Sequence, residues 1–289
     1  MAFLCLDIGG TNTLIGVGND EFDVVEKRKS RGFVEDLEAS VEQVLEGGGH
    51  SLKEIDSISV AAAGPIDRQE NVFYPPNIDG GEVSLEPLTS LANEFRVVND
   101  CNAAVLGEYR YGDYPTENLL YLTLSSGIGA GVVMDGELVE GADGNFGEVG
   151  HMQLVENGME CGCGGEGHWE AYCSGESIPR LVERITGESF QDARSVFESY
   201  RAGNTALEPA IERIRELNVR GVANLASLYN PEVIAVGGGV GLNHMDLVLG
   251  DVQEEAEERS VNGSPRIRKA QLGEESIIQG LRAISNGEV

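Results

Sequence analysis

The chain has 289 residues, of which 41% are hydrophobic, so it can bury one large core or two moderate ones and is not a disordered protein. Its 49 acidic residues outnumber 20 basic ones, and the net charge at pH 7 is −29. Such a surface repels nucleic acid backbones and anionic membranes, which excludes both as ligands. The self-repulsion is tolerable where salt screens it, because the Debye length is about 3 Å at 1 M. We therefore predict a halophilic source.

Cysteine usage and hydropathy favour a soluble, cytoplasmic protein. The five cysteines are an odd number, and the chain opens on an apolar stretch without a charged leader and cleavage site. No apolar run approaches the roughly 20 residues needed to cross a bilayer.

The predicted elements fall into two similar halves. In chain order we expect strands at 3–7 and 14–18, a helix near 34–45, a strand at 58–62, a helix at 103–109, strands at 119–124 and 131–134, a helix at 206–229, a strand at 233–236, and helices near 244–258 and 275–285. The Gly-Asp-Tyr-Pro sequence within 111–117 is a plausible hinge and places the domain boundary there.

Each half contains a glycine-rich turn between two predicted strands. The first comprises Gly9, Gly10, Thr11 and Asn12, and the second contains Ser125, Ser126 and Gly127. Small residues allow backbone N–H groups to approach phosphate oxygens, and the hydroxyl and amide side chains add donors. Asp7 precedes the first turn, where a carboxylate suits a magnesium ion that bridges nucleotide phosphates. One such hairpin would be weak evidence, but its duplication favours a nucleotide site.

A third glycine run, Gly237-Gly238-Gly239, follows an apolar strand. Its backbone could pass close to a planar base or a ribose. The same run is equally typical of an entry into a helix, and both interpretations stay open.

Residues 148–170 concentrate metal-binding side chains in a glycine-rich stretch. His151, Cys161, Cys163 and His168 can form the tetrahedral shell of two nitrogens and two sulfurs that zinc prefers, and a closed protein shell is normally structural. The alternative is a glycine-rich loop with free thiols. Glu148 and Glu170 bracket the ligands, and we expect a bound zinc to hold them in position for a substrate.

Several segments together resemble those of the ROK family (repressors, open reading frames and sugar kinases) of the actin-like ATPase superfamily. Residues 7–12 and 124–131 resemble its two phosphate motifs, and residues 99–104 are similar to its catalytic Asn-Asp segment. Residues 231–239 are similar to its adenosine-side motif. Residues 150–170 resemble its Gly-His and Cys-x-Cys-Gly-x-x-Gly-His-x-Glu signature. The resemblance covers nearly the whole chain. With the charge, it suggests a glucokinase-like sugar kinase from a halophilic archaeon.

The resemblance implies an α/β, two-domain actin-like ATPase (ribonuclease H-like) fold with the active site in the interdomain cleft. We expect a small domain at 1–114, completed by the C-terminal helix 275–289, and a large domain at 115–274 with the zinc-binding loop. A homodimer is also implied.

The resemblance also assigns roles. Asp100 becomes the general base that takes the sugar hydroxyl proton, although a carboxylate before Ala103 is otherwise typical of a helix N-terminus. The sugar ligands it implies are Asn77, Asn99, Asp100, Glu148, His151 and Glu170. The ATP ligands are Asp7, Gly9, Gly10, Thr11, Asn12, Ser125, Ser126, Gly127, Gly237, Gly238 and Gly239.

The expected activity is ATP-dependent phosphorylation of a hexose, first of all glucose to glucose 6-phosphate, with ATP, Mg²⁺ and structural Zn²⁺ as cofactors. A fructokinase or an N-acetylmannosamine or N-acetylglucosamine kinase is the alternative, because these enzymes share the motif set. A non-catalytic sugar-binding regulator is disfavoured by the intact Asp7, Asp100 and both turns. A DNA-binding repressor is disfavoured by the charge and by a phosphate motif that begins near Leu6.

Overall fold

The computed structural model describes residues 2–75, 81–263 and 265–288. The strands in chain order are β1 (Ala2–Ile8), β2 (Asn12–Gly18), β3 (Phe22–Lys29), β4 (Ile55–Ala62), β5 (Ile66–Asp67), β6 (Val72–Phe73), β7 (Val83–Ser84), β8 (Glu94–Asn99), β9 (Leu119–Leu124), β10 (Ile128–Met134), β11 (Glu137–Leu138), β12 (Val233–Gly237) and β13 (Arg266–Lys269).

The helices are α1 (Ser30–Val34), α2 (Leu37–Gly47), α3 (Glu86–Thr89), α4 (Asp100–Tyr111), α5 (Glu170–Cys173), α6 (Ile178–Thr186), α7 (Ala193–Arg201), α8 (Glu208–Tyr229), α9 (Gly238–Val248), α10 (Val252–Arg259) and α11 (Ser276–Ser285). Short 3₁₀ turns lie at Leu52–Glu54, Val149–His151, Thr205–Leu207 and Gly273–Glu275.

The chain divides into two compact units. One contains Met1–Asp113, Glu137–Phe146 and Glu275–Val289, and the other contains Tyr114–Gly136 and Gly147–Glu274. No helix among the described residues combines the length and apolar character that a membrane crossing requires.

The first unit contains a five-stranded sheet in the order β3-β2-β1-β4-β8. Strands β1 and β2 form an antiparallel hairpin, whereas β1, β4 and β8 run parallel. Strand β1 is almost entirely apolar and buried, as expected for a strand covered on both faces. Strand β3, at the edge, alternates between half-buried and exposed residues and ends in charged side chains. The parallel arrangement puts the carboxyl ends of β1 and β8 at one edge of the sheet.

Helices α4 and α11 of this unit cross with their backbones in close contact. A Cβ atom on Gly107 would lie 2.0 Å from the Ser276 carbonyl oxygen, and one on Gly280 would lie 1.7 Å from the Ala103 oxygen. Any side chain at either position would force the helices apart. The buried Glu108 accepts a 2.7 Å hydrogen bond from Ser276 Oγ beside this crossing. The crossing therefore fixes α4, whose first residue is Asp100.

The second unit repeats the arrangement. Strands β10, β9, β12 and β13 lie side by side, with β9 and β10 antiparallel and β9, β12 and β13 parallel. The long helix α8 buries Ile211, Ile214, Leu217 and Leu225 on its inner face. A hairpin thus precedes the parallel strands in both units, which is why the two glycine turns occupy equivalent places.

Two predicted helices differ from the structure. The helix predicted near 34–45 corresponds to α2, which begins only at Leu37 because the Asp36 carboxylate accepts from the Ala39 N–H and caps it, whereas Val34 ends α1. The helix predicted near 244–258 agrees with the structure only at its C-terminal end, since α10 ends at Arg259. Helix α9 begins six residues earlier, at Gly238, and a break containing Gly250 (φ +52°) precedes α10. Strands β3, β8 and β13 and helices α6 and α7 were not predicted.

Candidate active site

The first glycine turn joins β1 to β2 and is held by a residue that the sequence did not single out. The Gly9 N–H donates to the Asn12 oxygen at 3.2 Å. Buried Ser30, the first residue of α1, donates from Oγ to the Gly9 carbonyl at 2.6 Å and from its N–H to the Thr11 carbonyl at 3.1 Å. These bonds close the inner side of the turn and leave the exposed Thr11 on the outer side. A serine opening a five-residue helix gives no sequence signal for this role.

Asp7 and Asp100 lie close enough in the first unit for their charges to interact. Burial, the larger cause, and the Asp100 charge together raise the pKa of Asp7 to about 7, and Lys27 opposes them. Burial also raises the pKa of Asp100, while hydrogen bonds from Cys101 lower it. Two buried carboxyl groups whose charges interact are stabilised when one of them is protonated or when a divalent cation neutralises them.

Asp100 and Asn99 sit at the start of α4. The Cys101 N–H is shared between Asn99 Oδ1 at 2.8 Å and Asp100 Oδ1 at 2.7 Å, so Asn99 caps the helix. Asp100 is therefore a helix N-terminal carboxylate as well as the residue that the resemblance selects. Asn77, the remaining predicted sugar ligand of this unit, lies outside the described residues.

The second glycine turn lies in the second unit, between β9 and β10. The Ser125 N–H donates to the Gly127 oxygen at 2.9 Å, and the Gly175 N–H donates to the Ser125 oxygen at 2.6 Å. The Ile128 N–H donates to Glu170 Oε2 at 2.8 Å. A Cβ on Gly127 would lie 2.7 Å from that same oxygen, so glycine is needed here to admit the carboxylate.

The third glycine run both begins a helix and borders a cavity. Gly238 has φ +77° and lies so close to Leu124 that a Cβ would meet its carbonyl oxygen at 2.5 Å. Gly237 ends β12 and Gly239 lies in the first turn of α9. The helix-entry interpretation is therefore correct, and Gly239 in addition lines the cavity next to the second turn.

This cavity measures about 960 Å³ and lies within the second unit. Its lining includes Ser125, Ser126, Glu176, Arg194, Phe197, Gly239, Asn243 and His244. The rings of Phe197 and His244 are 4.4 Å apart and inclined by 30°. His244 has non-helical dihedral angles inside α9, and its Nδ1 is buried without a hydrogen-bond partner in the described part of the chain. Burial lowers the pKa of His244, and the nearby Arg201 contributes in the same direction.

Phe197, Arg194, Asn243 and His244 were missed by the sequence analysis. They come from α7 and α9, which are separated by the whole of α8, and none belongs to a motif. The sequence offered only an aromatic residue and a histidine in amphipathic helices as a signal, and such residues more often pack in a hydrophobic core than line a binding site.

The four predicted metal ligands come together in the second unit. One donor atom from each of His151, Cys161, Cys163 and His168 lies within 4.8 Å of the others. Cys161 Sγ is 3.8 Å from His151 Nδ1, and Cys163 Sγ is 3.2 Å from His168 Nδ1. A tetrahedral zinc with usual Zn–S and Zn–N lengths separates sulfur and nitrogen by about 3.5 Å. The donor set therefore fits such a shell in both chemistry and size.

Local backbone geometry forms this cluster. The Cys161 N–H donates to the Gly165 oxygen at 2.7 Å, and the Gly164 N–H donates back to the Cys161 oxygen at 2.9 Å. Gly167 has φ +71°, and a Cβ there would lie 1.7 Å from the Val155 oxygen. The glycines thus turn the chain tightly enough to bring both cysteines towards both histidines.

The two glutamates flanking the ligands differ in their surroundings. Glu148 Oε2 lies 3.7 Å from His151 Nε2, so the two ring nitrogens of His151 face a carboxylate and a thiol. Glu170 begins α5, and its Oε2 accepts a hydrogen bond from the Ile128 N–H. The predicted site residues are thus distributed over both units, with Asp7, the first turn, Asn99 and Asp100 in one and the remaining described residues in the other.

The paired hairpin sheets and their glycine turns define an actin-like ATPase fold of two α/β parts. The ROK family model matches residues 3–287, so the chain belongs to the ROK family, as its motifs predicted.

Similar proteins span the whole chain. It is 31% identical to a glucokinase of Pyrobaculum calidifontis over 98% of this chain and 94% of that protein. A ROK hexokinase from Thermus thermophilus superposes with a TM-score of 0.84 at 28% identity, covering 100% of this chain and 99% of that one. A ROK family glucokinase from Streptomyces griseus, in complex with glucose and AMPPNP, gives a TM-score of 0.78 at 28% identity, covering 99% of this chain and 100% of the other. These neighbours confirm the predicted fold class.

Proposed function

We propose that this protein is an ATP-dependent sugar kinase that converts glucose to glucose 6-phosphate. The observation that carries the proposal is the full-length similarity to glucokinases, and a glycine turn in each unit and Asp100 at the N-terminus of α4 support it. Such a reaction requires positioning of the phosphates, neutralisation of their charge and a base for the sugar hydroxyl.

Each turn has donors suited to phosphate oxygens. Thr11 and Asn12 in one unit and Ser125, Ser126 and Gly127 in the other would contact the ATP phosphates. Asp7 would hold Mg²⁺, directly or through water. The pKa of its carboxyl is raised first by burial and then by the Asp100 charge, and a bound cation would lower it by stabilising the carboxylate. Mg²⁺ supplies charge neutralisation between phosphate groups when bound.

The adenosine portion would occupy the cavity beside the second turn. Gly239 offers backbone without a side chain, and the inclined Phe197–His244 pair offers aromatic surface of the kind that packs against a purine. Ser125 and Ser126 also line this cavity, which supports a role for their hydroxyls as phosphate donors beside the adenosine.

The sugar hydroxyls would be bound by Asn99, Asp100, Glu148, His151 and Glu170, with Asn77 completing the set. Carboxylate and amide groups pair well with vicinal diols. Asp100 would accept the proton of the attacking hydroxyl. Burial raises the pKa of this carboxyl, which makes the carboxylate a stronger base once ionised.

Zinc is the metal that His151, Cys161, Cys163 and His168 would hold, in a structural role. It would fix His151 through Nδ1 and leave Nε2 for Glu148 and the sugar.

We further propose that the two compact units are the small and large domains of a homodimeric enzyme from a halophilic archaeon. The net charge of −29 supports operation in molar salt.

The test is a coupled kinase assay with ATP and Mg²⁺ in molar KCl over glucose, mannose, fructose, N-acetylmannosamine and N-acetylglucosamine. Glucose should give the highest kcat/KM. Preference for fructose or an acetamido sugar would establish the alternative kinase. No product from any sugar would refute the kinase assignment.

A further inference from the structure

Residues 168–176 hold the second glycine turn from both sides. At one side the Ile128 N–H donates to Glu170 Oε2 at 2.8 Å. At the other side the Gly175 N–H donates to the Ser125 oxygen at 2.6 Å, and the Glu176 N–H donates to the Ser126 oxygen at 3.4 Å. A single short helix with its flanks thus contacts the carbonyls at the start of the turn and the amide at its end.

The same segment begins at the metal cluster. His168, a donor of that cluster, is two residues before Glu170. Between them, Trp169 is completely buried, and its indole N–H donates to Asn218 of α8 at 2.8 Å. Only the anchored Trp169 separates His168 from Glu170, so these two residues have little freedom to move independently of each other.

A second set of contacts joins the residues around His151, the other histidine of the cluster, to strand β10. The Ala130 N–H donates to the Gly147 oxygen at 2.9 Å. Gly150, which precedes His151, lies so close to β10 that a Cβ would meet the Ile128 oxygen at 2.2 Å. Ile128 is therefore bordered on both sides by residues adjacent to metal donors.

We propose that Glu170 is a positioning residue for the second glycine turn and that it couples metal binding by the His151–Cys161–Cys163–His168 cluster to nucleotide affinity. The metal site then serves the phosphate-binding turn in addition to the sugar. This inference rests on the proposed function, because it takes the turn to be a phosphate ligand.

The two oxygens of Glu170 have separable roles. Oε2 is engaged by the turn, which leaves Oε1 for a sugar hydroxyl. Glutamine at this position keeps one acceptor oxygen for the Ile128 N–H but loses the charge, whereas alanine removes the acceptor. Glu170→Gln should therefore keep nucleotide binding and weaken sugar binding, and Glu170→Ala should weaken both.

The experiment is calorimetric titration with the non-hydrolysable ATP analogue AMPPNP and Mg²⁺, in molar KCl and without sugar. Glu156, an exposed carboxylate in the metal-binding stretch 148–170, provides the control Glu156→Ala. We expect Glu170→Ala to raise Kd about tenfold, the scale of losing one hydrogen bond to a charged group. Glu170→Gln should stay within about threefold of wild type, and Glu156→Ala should not change Kd.

Gly127→Ala perturbs the contact between Glu170 and the second glycine turn from the side of the turn. Its Cβ would lie 2.7 Å from Glu170 Oε2, so the substitution should raise Kd in the wild type and have a much smaller effect in the Glu170→Ala background, where the space is open. Additive effects of the two substitutions would contradict a shared contact.

The metal arm compares zinc-loaded protein with protein that has been chelated, dialysed and returned to Mg²⁺. Removal of zinc should raise the AMPPNP Kd, and added Zn²⁺ should restore it. Unchanged affinity after zinc removal overturns the coupling, and unchanged affinity in Glu170→Ala overturns the positioning role, while in both cases normal sugar phosphorylation leaves the proposed function intact. Failure of the wild type to bind AMPPNP overturns both proposals.

Discussion

The indole Nε1 of Trp169 donates a 2.8 Å hydrogen bond to Asn218 Oδ1, and both side chains are completely buried. Asn218 also donates from Nδ2 to the Val248 oxygen at 2.8 Å. This asparagine thus ties the segment between the metal cluster and the second turn to helix α8 and, through it, to the end of α9.

Replacement of Asn218 by alanine should lower the free energy of unfolding by about 2 kcal/mol or more, because it leaves a buried N–H and a buried carbonyl without partners. Trp169 is the single tryptophan of the chain, so its emission during unfolding in denaturant reports this region directly. Asn93→Ala, at an exposed asparagine, should leave the midpoint unchanged. Equal midpoints for the two variants would show that the Trp169 anchor contributes nothing.

Asp100→Asn should lower kcat by roughly 10² to 10⁴, the usual contribution of a positioned base, while the glucose Kd changes only a few-fold. The amide keeps the shape and hydrogen-bonding reach of the carboxyl but does not accept the proton. Steady-state kinetics and calorimetric sugar binding separate the two effects. Asp23→Asn, an exposed position in the same unit, is the control. Unchanged kcat in Asp100→Asn would remove it from the base role.

Metal analysis of purified protein should find one zinc per chain. Cys161→Ser should lose the metal, because a closed tetrahedral shell needs all four donors, and should raise the sugar KM since His151 is no longer fixed. Cys173→Ala, a buried thiol outside the cluster, should retain it. Full activity and low sugar KM in metal-free protein would mean that hydrogen bonds alone position Glu148 and His151.

Asp7 should make the magnesium-free protein less stable as the pH rises. Its folded pKa of about 7 lies above the ordinary value of 3.8, so the protonated folded state is favoured. That contribution is complete below about pH 4 and is lost as the pH rises through 7. At about 1.4 kcal/mol per unit it amounts to a few kcal/mol.

Asp7→Asn removes this titration. Thermal unfolding between pH 5 and 8 should show the wild type losing stability relative to Asp7→Asn. Adding Mg²⁺ at pH 8 should restore the stability of the wild type and leave that of Asp7→Asn unchanged. Parallel curves for the two proteins, with and without Mg²⁺, would contradict the expectation.

The thermal midpoint should increase with KCl from 0.1 to 2 M, since screening relieves the repulsion among 49 acidic residues. Glu257 and Glu258 are exposed on α10, and replacing both with lysine reduces the net negative charge by four. The double variant should depend less on salt than the wild type. The same salt slope in both would show that specific ion binding, not net charge, governs stability.

The sequence alone determined the features that are encoded locally. The buried strands 3–7, 119–124 and 233–236 are confirmed within one or two residues, because continuous apolar runs favour covered strands. The cluster of two cysteines and two histidines could also be selected in advance, since close cysteine spacing and adjacent glycines define the loop by themselves. Family membership followed from the motifs, which are short and contiguous.

The tertiary structure decided which distant residues serve these motifs. Ser30 reaches back to Gly9, Phe197 meets His244 across the length of α8, and Gly280 packs on Ala103. Glu170 illustrates the difference most clearly, because its motif marks a sugar ligand while its Oε2 is bound to Ile128, 42 residues earlier. Sequence motifs and hydrophobic periodicity report only on neighbours along the chain. Contacts between distant residues arise when sheets and helices pack, so only the folded chain reveals them.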